Sequence, residues 1–183
     1  MRIVEIDWLD EEIQESAVIL ESPNFRVRAF AHPYDAQVGA EAEPLEPLFV
    51  KDLKIGVMPT YRFSSWRPFE AWTVGFVIGK FYDGYEDCAL VGIGNPMPAG
   101  SVLDPRRSLP GDFEAYLIIG ISNLKPQSLL NKMIHQFISF EASRLTLDDM
   151  TDGELQVIRE CIQTSVATLR QKNLLPTNVP VLP

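Results

Sequence analysis

Cysteine and histidine are scarce in this chain, with two of each among 183 residues. Cys88, Cys161, His32 and His135 each stand alone, so no pair has the spacing of a zinc site, and no metal or other cofactor is expected. A disulfide framework is not expected either, and two isolated thiols fit a reducing compartment. Long apolar runs are also missing: none approaches the roughly eighteen residues that span a bilayer. The start, Met1-Arg2-Ile3-Val4-Glu5-Ile6-Asp7, carries acids where a secretory leader needs a basic residue and an apolar stretch. The expectation is a cytoplasmic protein without a membrane partner.

The third shortage is of basic residues, and it is local. The first fifty residues hold three bases (Arg2, Arg26, Arg28) against eleven acids, whereas the other 133 are nearly balanced, giving a net charge of −9. Such asymmetry favours a basic partner and disfavours nucleic acid and anionic membrane. Apolar residues at 46% and charged residues at 22% are ordinary for a globular protein, and the length suits one core. A single domain over 1–183 is expected, β-rich over 1–122, helical over 123–172, with a proline-spaced tail over 173–183.

The hydrophobic period changes near residue 123. Phe25, Val27, Ala29 and Ala31 alternate with Arg26, Arg28 and Phe30, as in a half-buried strand, and Pro23-Asn24 separates it from a strand over Ala17–Leu20. Trp72–Phe81 and Cys88–Ile93 read as hairpin arms around Asp83-Gly84, with Gly75 and Gly79 marking bends or bulges. Phe113–Ile121 reads as a further strand. Beyond it, Leu129, Leu130, Met133, Ile134, Phe137 and Ile138 have helical spacing, although Ile138, Phe140 and Ala142 also alternate, which leaves a strand open for 137–147. Leu155, Ile158, Ile162, Val166 and Leu169 form a second helical stripe, introduced by a Thr151/Glu154 capping box. The expected fold is α+β: a bent antiparallel sheet or small, partly open β-barrel over residues 2–122, with two C-terminal helices packed on it. Residues 33–70 and 95–111 are expected to be long connections.

The leading candidate site is Tyr61, Arg62, Phe63, Trp66 and Arg67, because aromatic and arginine side chains dominate binding hot spots. The competing explanation is that these rings enter the Trp72 strand and pack in the core. Glu41, Glu43 and Glu46, in a proline-containing run, could present charge to a basic partner or only keep a loop solvated. Asp148, Asp149, Asp152 and Glu154 miss the calcium-loop spacing and suit a helix start. Gly92-Ile93-Gly94-Asn95-Pro96 follows a strand, yet Pro96 and Pro98 remove the amides a phosphate-binding helix turn requires. No residue is assigned a catalytic role.

These features lead to a non-enzymatic protein-binding module, in its sharpest form an inhibitor or immunity-type protein for a basic partner. Two alternatives stand beside it. One is a small enzyme with a pocket between the 33–70 and 95–111 loops, using His32, Asp35 and Arg106 or Arg107. The other is a homo-oligomeric structural subunit associating through its C-terminal helices and tail, whose Leu174, Leu175, Val179, Val181 and Leu182 are too apolar for a purely solvated end.

Overall fold

The computed structural model describes residues 1–32, 37–42, 44–95, 113–147 and 150–182, with Trp66 described by its backbone alone. Eight strands come first: β1 (Arg2–Asp10), β2 (Glu15–Glu21), β3 (Arg26–Ala31), β4 (Glu46–Ile55), β5 (Tyr61–Arg67), β6 (Glu70–Tyr82), β7 (Asp87–Ile93) and β8 (Ala115–Gly120). Then follow the short helix α1 (Leu129–Met133), β9 (Phe137–Thr146), the long helix α2 (Asp152–Gln171) and β10 (Val181–Leu182). This is the α+β class expected. The strands form one mixed sheet in the order β1-β2-β3-β5-β6-β7-β8, with β9 bonded to β3, β4 and β6, and β10 bonded to β5. β3, β5, β6 and β9 thereby close a ring of four strands.

Most pairings are antiparallel, as expected, but β3 meets both β5 and β9 in parallel, and β10 runs parallel to β5. The hairpin read at Asp83-Gly84 is present as β6 and β7. The Asp83 carboxylate takes the amides of Tyr85 at 2.7 Å and Glu86 at 2.8 Å, and Gly84 has φ +110°, open to glycine at no steric cost. Burial pushes the Asp83 carboxyl up, but these amide bonds and the Cys88 thiol outweigh it and hold the group below its usual range. The β6 ladder slips between Val77 and Gly79, the bulge expected there. A Cβ on Gly79 would collide with Ser165 of α2, so this glycine lets the helix lie directly on β6.

The helix read through Phe137 and Ile138 is corrected. Only Leu129–Met133 is helical, and Phe137–Thr146 is a ten-residue strand. His135 adopts φ +60° and donates its amide to the Val77 carbonyl, which breaks the helical path. β9 then lies between β4 and β6, bonded along both edges, and buries Ile138, Phe140, Ala142 and Leu145 completely. Ladder bonds on both sides outweigh a local helical period. One long helix therefore packs on the sheet, not two. Its stripe, Leu155, Ile158, Ile162, Val166 and Leu169, is buried, and the Thr151/Glu154 capping box is formed.

The 33–70 connection is also corrected, because β4 and β5 occupy much of it. The tail returns onto the molecule. Asn95 Nδ2 donates to the Val179 carbonyl at 2.8 Å, while Asn95 Oδ1 accepts from the Val179 amide at 2.7 Å. The Tyr61 amide then bonds Pro180 O at 2.8 Å, and Val181–Leu182 pairs with Tyr61–Arg62. No helix among the described residues is long and apolar enough to cross a membrane.

Candidate functional site

The expected aromatic–arginine site does not form a common surface. It lies on β5, a strand inside the sheet, where alternation sends Tyr61 (0% exposed) and Phe63 (1%) into the core. The Tyr61 ring packs 5.4 Å from Phe137 and 6.4 Å from Phe113, and Phe63 meets Phe25 at 6.3 Å. Burial pushes the Tyr61 phenol far above its ordinary range, and its hydroxyl has no hydrogen-bond partner among the described residues. Neither ring is accessible to a partner. Arg62 is half-buried and donates to Ser64 Oγ, Arg67 is exposed, and the Trp66 side chain lies outside the described residues.

The acidic trio is likewise dispersed. The Glu41 backbone pairs with that of Arg2 as an isolated antiparallel bridge, and its carboxylate lies 3.6 Å from the Met1 amino group. Glu43 lies outside the described residues, and Glu46 opens β4, where its carbonyl accepts the Thr146 hydroxyl. Of the enzyme candidates, His32 is exposed at the end of β3, while Asp35, Arg106 and Arg107 lie outside the described residues, as do Asp148 and Asp149. Asp152 and Glu154 serve the first turn of α2, where the Thr151 hydroxyl and amide hold the Glu154 carboxyl below its ordinary value. Both cysteines are free thiols. Burial first, then the bond to Asp83, pushes the Cys88 thiol far up, and burial raises Cys161 as well, so neither is an activated nucleophile. Among the described residues no group of three or more His, Cys, Asp or Glu could hold a metal ion.

Two features emerge that the linear pattern did not reveal. The first is an arginine–aromatic cluster assembled from separate elements. Phe30 and Phe69 meet edge to face at 5.7 Å, with Arg144 over Phe30 at 4.5 Å and Arg28 over Phe69 at 5.6 Å. Phe69 and Arg144 both hold left-handed backbone, and the Phe69 carbonyl accepts the Leu145 amide at 2.6 Å. Arg144 and Phe30 also line a cleft of about 920 Å³ beside β4, together with His32, Phe49, Asp52 and Lys125. Ser122 at its rim is clamped to Glu86, whose carboxylate takes both its amide and its hydroxyl.

The second is the β1–β2 hairpin, where much of the acidic charge is concentrated. Asp10 Oδ1 accepts the Glu12 amide at 3.0 Å, shaping the turn, and Gln14 completes it with φ +56°. On one face, Arg26 lies 3.7 Å from Glu5 and 3.4 Å from Glu21, and Arg28 lies 3.2 Å from Asp7. Towards the tip no base follows: among the described residues Asp10, Glu11, Glu12 and Glu15 take part in no ion pair. Beside them stand Trp8 (48% exposed), Leu9 (49%) and Ile13 (51%). Large exposed apolar side chains near the turn of an acidic hairpin are what an interaction surface needs and what solubility alone does not. The readable signal was the placing of Trp8, Leu9 and Ile13 around Asp10-Glu11-Glu12.

Comparison with protein-family models, curated proteins and solved structures found no match for this chain.

Proposed function

We propose that this chain is a non-enzymatic binding module that takes a basic protein partner on its β1–β2 hairpin, in the manner of an inhibitor or immunity-type protein. One observation carries the reading: Trp8, Leu9 and Ile13 are about half exposed amid Asp10, Glu11, Glu12 and Glu15, which lack ion-pair partners among the described residues. Unpaired carboxylates would steer a basic surface inward, and the three apolar side chains would supply the short-range contact. The free, unpaired thiols agree with a reducing, cytoplasmic setting. The test is capture from cell extract at low salt on immobilised full-length chain, beside a Trp8→Ser/Ile13→Ser variant and a Glu11→Gln/Glu12→Gln/Glu15→Gln variant. A basic protein retained by the wild type, released by salt and lost by both variants supports the reading. Identical retention on all three columns overturns it.

The cleft beside β4 favours a second reading, a small enzyme, and there His32→Ala should abolish any activity found. The exposed Leu174 and Leu182 keep a homo-oligomer as a third, although the tail is seated on its own β5. A light-scattering mass that stays monomeric as concentration rises excludes it.

A further inference from the structure

We infer that the partner binds by strand addition: an extended segment with alternating basic and apolar side chains pairs with the free edge of β1 from Glu5 to Asp10. This rests on the acidic-hairpin reading and adds the binding mode and the chemistry of the bound segment. β1 is the terminal strand of the sheet; among the described residues it bonds in register to β2 on one edge, and Arg2 is bridged to Glu41 on the other. Its outer edge already takes backbone hydrogen bonds at one end, from the turn at Val38–Gly39, where the Ile3 amide bonds Ala40 O at 2.9 Å and the Gly39 amide bonds Ile3 O at 2.8 Å. From Glu5 onward no described residue pairs with that edge, so alternate amides and carbonyls face outward.

The side chains along the edge specify the visitor. Ile6 and Trp8 lie opposite Val18 and Ser16, so they share one face of the hairpin. Glu5 and Asp7 lie on the other, opposite Ile19 and Ala17 and beside Arg26 and Arg28 of β3. A strand laid alongside would set every second side chain against Ile6 and Trp8 and the intervening ones against Glu5 and Asp7. Apolar residues in the first set and lysine or arginine in the second satisfy both faces. A second copy of this chain is the wrong occupant, because β1 against β1 would bring Glu5, Asp7 and Asp10 of both copies together, while Arg26 and Arg28 of each copy are already shared among Glu5, Glu21 and Asp7 and the second copy adds no base for Asp10. Acids on an edge strand also guard against aggregation, but a guarded edge does not display Trp8 and Leu9.

The experiment uses the full chain and two capped nine-residue probes of alternating lysine and valine, one unmodified and one N-methylated at every residue so that both bonding edges are blocked. The expected result at low salt is binding of the unmodified probe, slowed hydrogen exchange at alternate amides of Glu5–Asp10, and affinity at least about tenfold weaker for the methylated probe. Equal binding of both probes overturns strand addition and leaves the acidic-hairpin reading standing. Binding without protection of Glu5–Asp10 does the same, and failure of the unmodified probe to bind overturns strand addition outright.

Discussion

Asn95 holds the C-terminal tail as a neighbouring strand would, through one donor and one acceptor on the same residue, Val179. In Asn95→Ala both bonds vanish. At a net contribution of about 1 kcal/mol each, the two amount to about 2 kcal/mol. Val179 is half-buried, so water can reach part of the vacated backbone, which places the expected cost at about 1–2 kcal/mol. The tail's open state then becomes roughly 5–30 times more populated, without global unfolding. Native-state hydrogen exchange reads this directly at Tyr61, because its amide bonds Pro180 O in the tail. That amide should exchange about 5–30 times faster, while the central amides of β9 keep their protection. Asn95→Asp keeps the acceptor but sets a charged oxygen against the Val179 carbonyl, so it should open the tail no less than alanine does. Unchanged exchange at Tyr61 in Asn95→Ala would refute the clamp and the docking of β10 with it.

Phe140→Ala removes a fully buried ring from β9 between β4 and β6 and should cost about 3–5 kcal/mol in urea unfolding; a loss below about 1 kcal/mol would contradict the β9 packing. Thr151→Ala should cost about 1 kcal/mol by removing the α2 cap. Because the folded-state pKa of Glu154 is depressed, its contribution is present above the unfolded pKa and lost as pH falls through the folded one. Melting temperature should therefore fall less between about pH 5 and 3 in Thr151→Ala than in the wild type, and an identical fall would count against the capping box. Cys88, buried and with its pKa raised, should resist a disulfide reagent at pH 8 until the protein unfolds, and rapid native-state labelling would contradict its placement.

Local signals were legible where one side of an element alone decides its state. The β3 alternation, the Asp83-Gly84 hairpin and the α2 stripe with its capping box all stand where the sequence put them. β9 was ambiguous because its identity comes from β4 and β6, which approach from distant positions in the chain. β4 was invisible for a different reason: it leaves Leu48 and Phe49 exposed, so no buried-face alternation marks it. Hidden too was the site. Tyr61 and Phe63 carry hot-spot chemistry, but β5 turns them inward, and only pairing of β5 with β6 inside the sheet reveals that. The acidic bias of the first fifty residues was plain, whereas its gathering on one hairpin beside Trp8 depends on the β1–β2 register.

The central claim is that the acids and exposed apolar side chains of the β1–β2 hairpin act together in binding a basic segment. Calorimetric titration of the unmodified lysine–valine probe into the wild type and into Glu11→Gln/Glu12→Gln/Glu15→Gln, at low and at high salt, tests it most directly. The account predicts wild-type binding that weakens steeply with salt, and binding to the variant about tenfold weaker at low salt and much less salt-dependent. Equal affinity of wild type and variant at both salt concentrations would contradict it.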